Sequence, residues 1–257
     1  MKITFLGTGT SQGIPVPLCE CDVCRSSDPR DKRLRTSALV ETGGLSLLID
    51  TSIDFRQQVL RSAIKRIDAV LLTHHHFDHL FGLDDIRAFT NTQRAAMDIY
   101  TSPQCEPEVM RRFGYAFGER NLDWGLPALT MKVVTDTFTI RKNGASVDVT
   151  PIDVGHGKIT IYGFRIGNFA YLTDCKTLPD HSVERLQGLE VLAIDCLRYT
   201  EHPTHACLSE TLAHIARIKP RRAILIHMSH EIKHAVLEAD LPDHIRVGYD
   251  MLEVVID

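Results

Sequence analysis

The stretch LLTHHHFDHL, residues 71–80, places several metal-ligand side chains beside one another. Directly after an apolar run come four histidines and one aspartate, namely His74, His75, His76, Asp78 and His79. In extended geometry His74 and His76 point to the same side, and Asp78 and His79 then lie in the first turn of the next element. Zinc, manganese and iron all accept imidazole and carboxylate ligands. The stretch therefore predicts a metal site, and the alternative is an incidental histidine-rich surface loop.

A second cluster of ligand side chains is CECDVC, which contains Cys19, Cys21 and Cys24. The chain has seven cysteines, an odd number with three of them crowded together, so a disulfide framework explains them poorly. Three thiolates are one donor short of the four that a tetrahedral zinc site requires. The pattern indicates reduced thiols, either bound to a metal together with a distant fourth ligand or simply free.

Recurring short apolar runs predict the strands that must position these clusters. The predicted strands are 3–6, 37–42, 45–50, 68–73, 146–154, 159–166, 169–174, 189–195 and 221–227. Amphipathic patterns predict helices over 52–64 and 208–218. Three later strands end at Asp174, Asp195 and His227, and α/β proteins usually place their chemistry at the carboxyl ends of buried strands. We therefore expect an α/β fold whose polar residues share one edge.

Composition limits the class of protein. With 257 residues, 44% hydrophobic and 24% charged, the chain predicts a single globular domain over residues 1–257. It contains no apolar run of about 18 residues and its start is too short in apolar residues for a signal peptide, so we expect a cytoplasmic protein without membrane contact. The net charge of −4 argues against a broad nucleic-acid surface.

Two stretches allow more than one interpretation. The basic run RDKRLR, residues 30–35, is expected to be a solvated loop, with phosphate contact as the alternative. The irregular segment 113–130 carries four aromatic residues and is either a lid over a pocket or a packed surface loop. Six histidines receive no role: His75 should point away from the cluster, and the others are expected at the surface, namely His181, His202, His214, His234 and His244.

The motif His74-x-His76-x-Asp78-His79 after a strand ending in Thr73 resembles the signature of the metallo-β-lactamase superfamily. The resemblance implies an αββα four-layer sandwich of two mixed β-sheets flanked by helices, with metals along one edge. The family's further ligands match VGHGK, YLTD and LIHMSH in order. The resemblance implies that the first metal is held by His74, His76 and His156, and the second by Asp78, His79 and His227. Asp174 would bridge the two metals.

Upstream residues extend the resemblance. FLGTGTSQG, residues 5–13, is similar to the opening strand and glycine-rich loop of the superfamily's phosphodiesterase branch. LLIDTS resembles the strand whose aspartate, here Asp50, supports the ligand loop from behind. Carboxylates that hydrogen-bond to ligating histidines fix their orientation and raise their basicity. The alternative for Asp50 is an ordinary residue that ends a strand.

The cysteine cluster makes the resemblance more specific. Over nearly the whole chain, the sequence resembles the phosphonate-utilisation (PhnP-type) cyclic phosphodiesterase family. That family has cysteines after the glycine-rich loop and a fourth ligand three residues beyond the last active-site histidine, which is His230 here. The resemblance implies a structural Zn²⁺ site in a loop at about 19–24, held by Cys19, Cys21, Cys24 and His230. It also matches His205 to a histidine that orients the phosphate or protonates the leaving oxygen, and the alternative is a capping or surface histidine.

The resemblance implies a hydrolase with two active-site divalent metals, Mn²⁺ or Zn²⁺, which would produce a bridging hydroxide that attacks a small phosphodiester. Ribose cyclic phosphates and nucleotide 2′,3′-cyclic phosphates are the expected substrates, Asp78 and His205 the expected catalytic residues, and a homodimer is suggested. Three alternatives remain: a tRNA 3′-end nuclease, a thioester or lactam hydrolase, and a catalytically silent nucleotide-binding module. No glycine- and proline-rich RNA-gripping arm is found, so we expect no stable nucleic-acid partner.

Overall fold

The strands are distributed along the whole chain in the computed structural model, which describes residues 1–118 and 121–256. Those of the first half are β1 (Lys2–Gly7), β2 (Ser37–Thr42), β3 (Leu45–Ile49), β4 (Ala69–Leu71), β5 (Met97–Thr101) and β6 (Leu129–Val133). Those of the second half are β7 (Phe138–Lys142), β8 (Ala145–His156), β9 (Ile159–Ile166), β10 (Phe169–Leu172), β11 (Val191–Asp195), β12 (Arg222–Ile226), β13 (Ile245–Val247) and β14 (Glu253–Val255).

Short helices connect the strands. In chain order the α-helices are α1 (Asp22–Arg25), α2 (Phe55–Ser62), α3 (Phe77–Leu80), α4 (Arg87–Gln93), α5 (Glu106–Phe113), α6 (Asn121–Trp124), α7 (Asp180–Arg185), α8 (Leu208–Ile218) and α9 (His234–Asp240). Single 3₁₀ turns are formed by Pro29–Asp31, Leu83–Ile86 and Gly114–Phe117. None of the helices in the described ranges is both long and apolar enough to cross a membrane.

Two mixed sheets form the centre of the fold. The first has the order β14-β1-β2-β3-β4-β5-β6 and the second the order β13-β12-β11-β10-β9-β8-β7. In the first sheet β3 to β6 are parallel, and in the second β10 to β13 are parallel, while the remaining neighbours are antiparallel. Parallel strands end at a common edge, so the loops after β4, β10, β11 and β12 lie where the site must form.

Three apolar layers hold these elements together. Side chains of both sheets, including Phe5, Ile49, Phe164 and Ile224, interdigitate between them. A second layer packs the first sheet against α2 to α5, and a third packs the second sheet against α7 to α9. The αββα sandwich implied by the resemblance is therefore confirmed.

The predicted strands and both predicted helices are present, although most are shorter than their patterns. The helix over 208–218 has those bounds, and the one over 52–64 begins at Phe55 and ends at Ser62. The sequence did not predict β5 to β7, β13 or β14. Within 113–130, Phe113 and Ala116 are buried against the first sheet, which favours the packed-loop interpretation for that part, and residues 119 and 120 lie outside the described residues.

The expectation of a solvated basic loop over 30–35 is wrong for its centre. Arg33 is fully buried, with its Nη2 atom 3.5 Å from Asp31 Oδ1 and its Nη1 atom donating to the Ile232 carbonyl at 3.1 Å. Arg35 binds Asp54 at 3.0 Å. The segment after β12 covers Arg33, so the centre of the run is buried, whereas Arg30 at its start is exposed and pairs with Asp28.

One histidine that was expected at the surface is also buried. His234 begins α9, is 2% exposed, and its backbone N–H donates to Asp31 Oδ1 at 2.8 Å. It packs edge-on against Tyr249. The expectation was wrong because α9 packs over the segment that contains Asp31 and Arg33. This is a long-range contact that the local sequence does not indicate.

Candidate active site

The loops at the common edge of the two sheets bring distant ligand residues together. His74 and His76 follow β4, Asp78 and His79 lie in α3, His156 ends β8, Asp174 follows β10 and His227 follows β12. The two sheets are joined at this edge, where the Tyr162 backbone N–H donates to the Thr73 carbonyl at 3.2 Å. The side chains proposed as ligands therefore converge from both sheets.

The first cluster contains three histidines and one aspartate. One ligand atom from each of His74, His76, His156 and Asp174 lies within 4.8 Å of the others. Thr73 Oγ1 lies 3.0 Å from His74 Nδ1, and His156 Nδ1 donates to the Thr204 carbonyl at 2.9 Å. Because these contacts engage the Nδ1 atoms, the Nε2 atoms of His74 and His156 face the cluster.

The second cluster contains Asp78, His79 and His227, which lie as close together. Asp78 Oδ2 lies 3.2 Å from His79 Nε2 and 3.4 Å from His227 Nε2. All three side chains are nearly inaccessible to solvent. This cluster combines a hard carboxylate with two imidazoles, a donor set that suits zinc or manganese.

Asp174 lies between the two clusters and divides its oxygens between them. Its Oδ1 atom is 3.1 Å from His79 Nε2 and 3.3 Å from His227 Nε2. Its Oδ2 atom is 3.7 Å from His74 Nε2 and 3.8 Å from His156 Nε2. A carboxylate whose two oxygens face separate donor sets has the geometry of a bridging ligand.

The backbone at the site is unusual. Asp174 and His227 have φ values of 53° and 59°, and Asp50 behind them has 60°. This left-handed region is uncommon for residues other than glycine, and strained backbone of this kind concentrates at functional sites. No sequence pattern indicated this backbone conformation at the three positions.

Asp50 supports the ligand loop from behind. Its Oδ2 atom accepts from His79 Nδ1 at 2.7 Å and from Thr73 Oγ1 at 2.8 Å, and its Oδ1 atom accepts from the Thr73 backbone N–H at 2.8 Å. Burial raises the pKa of Asp50, and the contact with His79 opposes that shift. With its Nδ1 proton held by Asp50, His79 directs its Nε2 atom to the cluster, where a bound cation would take the place of a second proton.

The buried carboxylates at the common edge of the two sheets favour a bound cation. Burial opposes protonation of His79, but Asp174, Asp78 and Asp50 raise its pKa well above the ordinary value. The buried Nε2 atoms of His74 and His79 lack a hydrogen-bond partner in the described part of the chain. Unpaired buried nitrogens beside carboxylates are costly, and divalent metal ions would satisfy both, so these residues fit a two-metal site.

His205 lies beside the metal-ligand clusters and is hydrogen-bonded to Asp195, a residue for which the sequence predicted no role. Its Nδ1 atom donates to Asp195 Oδ2 at 2.9 Å, and its Nε2 atom lies 3.8 Å from Asp174 Oδ2. Asp195 is fully buried at the end of β11. The position of Asp195 at the end of a predicted strand was a signal of function in the sequence. Its hydrogen bond with His205 is visible only in the folded chain.

The three cysteines of the CECDVC stretch lie around His230. The Nδ1 atom of His230 lies 3.2 Å from Cys19 Sγ, 3.4 Å from Cys21 Sγ and 3.8 Å from Cys24 Sγ. Zinc bonds of about 2.3 Å to sulfur and about 2.1 Å to nitrogen in a tetrahedron separate such atoms by roughly 3.6 Å. The four side chains therefore fit a closed zinc site, which would tie the N-terminal loop to the segment that carries His227.

The glycine-rich opening loop is fixed against the same segment. Thr10 N–H donates to the Met228 carbonyl and Met228 N–H to the Thr8 carbonyl, both at 3.0 Å. A Cβ atom on Gly7 would lie 2.1 Å from the Arg35 carbonyl oxygen, so only glycine fits there. Asp250 accepts from the N–H and hydroxyl groups of Thr8, both at 3.0 Å.

Replacing Asp250 with asparagine should change the pH dependence of stability. Burial raises the pKa of Asp250 to about 6, although hydrogen bonds from Leu34 and Thr8 oppose the shift. The folded state therefore binds this proton more tightly than the unfolded state, and the associated stability is lost as pH rises from about 4 to about 6.

The free energy of unfolding of the unaltered protein, relative to Asp250→Asn, should fall by roughly 3 kcal/mol between about pH 4 and pH 7. Denaturant titrations of both proteins across this range would measure the difference. A difference that does not vary with pH would contradict the raised pKa.

An αββα sandwich with imidazole and carboxylate donors gathered at one edge defines a metal-dependent hydrolase. The model of the beta-lactamase superfamily domain matches residues 46–228. A solved diphosphatase from the PhnP family is 38% identical, with a TM-score of 0.90 over 100% of this chain and 98% of that chain. The chain belongs to the metallo-β-lactamase superfamily and, within it, to the PhnP family.

Curated relatives carry other names. An octanoyltransferase of Porphyromonas gingivalis is 41% identical over 263 residues, covering 100% of this chain and 52% of that protein. A ribonuclease Z of Bradyrhizobium diazoefficiens is 29% identical over 166 residues, covering 63% of this chain and 48% of that protein. Because the chain spans only about half the length of these relatives, their activities are not carried over to it.

Proposed function

We propose that this protein is a phosphodiesterase that hydrolyses small phosphodiesters, including ribose cyclic phosphates and nucleotide 2′,3′-cyclic phosphates. The observation that carries the proposal is the division of Asp174 between two donor sets, with Oδ1 toward His79 and His227 and Oδ2 toward His74 and His156. This arrangement suits two neighbouring cations, and a pair of cations favours an anionic ester as substrate.

We propose that His74, His76 and His156 hold one divalent ion, that Asp78, His79 and His227 hold the other, and that Asp174 bridges them. When bound, such ions lower the pKa of a coordinated water and neutralise charge on the phosphoryl group. Asp50 keeps the proton of His79 on Nδ1, and the Thr204 carbonyl does the same for His156. The chain thereby keeps both Nε2 lone pairs directed into the site.

His205 is proposed to handle the proton of the leaving oxygen. Asp195 accepts from His205 Nδ1 and fixes the orientation of the ring, so that an Nε2–H group could donate a proton to the leaving oxygen. The Nε2 atom lies on the side of Asp174 Oδ2, facing the clusters. Asp195 acts through His205 and is a positioning residue.

The cysteine cluster with His230 is proposed to hold a structural Zn²⁺ ion. With unpaired cysteines throughout the described chain, this site favours a reducing compartment such as the cytoplasm.

Acyl transfer is less well supported as the reaction. Cys175 and Cys196 directly follow Asp174 and Asp195, but both are fully buried, and burial raises their pKa values well above that of an ordinary thiol. Such thiols form little of the thiolate that a covalent acyl carrier would need. The diphosphatase relative and the ribonuclease Z relatives, by contrast, have names that describe reactions at phosphorus.

One substrate panel tests the proposal. Purified protein is assayed with manganese and zinc supplied separately, against nucleotide 2′,3′-cyclic phosphates, ribose cyclic phosphates and bis-p-nitrophenyl phosphate. Precursor tRNA and an octanoyl thioester serve as competing substrates. We expect turnover of at least one small diester and little cleavage of either competitor. Cleavage of tRNA or thioester with no turnover of any small diester would refute the proposal.

A further inference from the structure

The cysteine cluster is the place where solvent reaches the thiols of this chain. Cys19 and Cys21 are partly exposed, and Cys24 beside them is 6% exposed. The other cysteines are between 0% and 2% exposed, namely Cys105, Cys175, Cys196 and Cys207. Because oxidation of a thiol requires contact with the oxidant, a peroxide in solution reaches the cluster before any other cysteine.

Two thiols of the cluster are held side by side at the start of a helix. Cys21 is the N-cap residue of α1 and Cys24 lies in its first turn, where the Cys24 backbone N–H donates to Cys21 Sγ at 3.5 Å. The two Sγ atoms lie within 4.8 Å of each other. A C-x-x-C pair at the start of a helix is typical of thiol–disulfide chemistry. The two sulfurs are therefore close enough to react with each other after a side-chain rotation.

The order of this loop depends on its metal site more than on apolar packing. The loop has a small apolar cluster of its own, whose buried members are Ile14, Val23 and Cys24. The thiolate is the form of cysteine that binds zinc, so a disulfide between Cys21 and Cys24 would remove two ligands. Cys19 and His230 would remain, which are two donors where structural zinc requires four. The ion would then leave, and the tie between the loop and the segment after β12 would be lost.

We infer that Cys21 and Cys24 form a reversible oxidation site, at which a peroxide converts the two zinc-bound thiolates to a disulfide and releases the ion. The inference rests on the proposed structural zinc site and adds a modification of it, separate from the hydrolytic reaction. The site would make the stability of the protein sensitive to oxidants.

The reaction proceeds in two balanced steps. Cys21 is the more exposed thiolate and attacks the O–O bond of hydrogen peroxide, which gives a sulfenic acid and, with one proton from solvent, water. The Cys24 thiolate then attacks the Cys21 sulfur, and the hydroxyl group leaves with a second proton as water. Two electrons pass from the sulfurs to the peroxide. A dithiol reductant returns them and restores both thiols.

The test uses the whole chain with zinc in the cysteine site and manganese supplied to the site at the sheet edge, so that released zinc reports the cysteines. Hydrogen peroxide is added, zinc release is followed with a chromophoric chelator and free thiols are counted. We expect one zinc ion and two of the seven thiols to be lost per chain in parallel, together with a lower Tm. Dithiothreitol followed by zinc should restore all three. Zinc that stays bound at peroxide concentrations that oxidise free cysteine would overturn the inference.

A pair of variants identifies the thiols that react. In Cys24→Ser the Cys21 thiol should stop at the sulfenic acid, which dimedone traps and mass spectrometry locates. Cys207→Ser is the matched control, because it removes a buried cysteine outside the cluster and should respond as the unaltered protein does. Loss of two thiols from Cys24→Ser at the unaltered rate would assign the disulfide to another pair and overturn the inference.

Metal-free protein separates this inference from the proposed zinc site. The disulfide is sought there by mass spectrometry after peroxide treatment, and its formation between Cys21 and Cys24 supports the oxidation site. Its absence would refute the pair. Absence of zinc from the purified, reduced protein would instead refute the proposed zinc site.

Discussion

Replacing Asp78 with alanine should lower phosphodiester turnover by about a thousandfold or more while the fold stays intact. Asp78 is the carboxylate of the second cluster, 3.2 Å from His79 Nε2 and 3.4 Å from His227 Nε2. Its removal leaves the two imidazoles and the shared carboxylate of Asp174, a set that would bind a divalent ion more weakly. Charge neutralisation at the phosphoryl group is worth several kcal/mol, which corresponds to this loss in rate.

The experiment measures kcat, metal content and the circular dichroism spectrum together. Asp180→Ala is the matched control, because the Asp180 side chain is 94% exposed at the start of α7 and pairs with the surface residue Arg217. The control should retain full activity. Asp78→Ala protein that keeps its fold and turns over substrate at a rate near the control would rule out the assigned ligand set.

Replacing Cys21 with serine should lower stability and zinc content more than it lowers the activity of the folded protein. A serine hydroxyl is a poor zinc ligand, so the site would lose a donor that lies 3.4 Å from His230. Loss of a structural metal is among the most destabilising single changes. We expect the free energy of unfolding to fall by at least about 3 kcal/mol, which corresponds to a decrease of roughly 6 to 12 °C in Tm for a chain of this size.

Cys207→Ser is the control for this substitution. Cys207 is the N-cap residue of α8, a position that serine fills well. The free energy of unfolding of the control should therefore lie within about 1 kcal/mol of that of the unaltered protein. Zinc would be counted by elemental analysis and stability followed by thermal denaturation. Unchanged zinc content and Tm in Cys21→Ser would show that the thiols hold no structural ion.

The sequence alone predicted the parts of this protein that depend on near neighbours. Alternating and continuous apolar runs indicated most strands, because a strand reveals its buried face within a few residues. His74, His76, Asp78 and His79 form one loop, so their convergence follows from local backbone geometry. The resemblance to the metallo-β-lactamase superfamily then matched His156, Asp174 and His227, each of which lies at or just after the end of a later strand.

Only the tertiary structure decided which distant groups face one another. The burial of Arg33 beneath the segment after β12 and the division of Asp174 between two donor sets each join residues far apart in the chain. The pairing of Asp195 with His205 joins residues that are 10 positions apart, across an irregular loop. The sequence shows the same charged residue whether its side chain is solvated or buried in the folded protein. Its environment is set by the packing of the two sheets, and that packing is a property of the whole chain rather than of any short stretch.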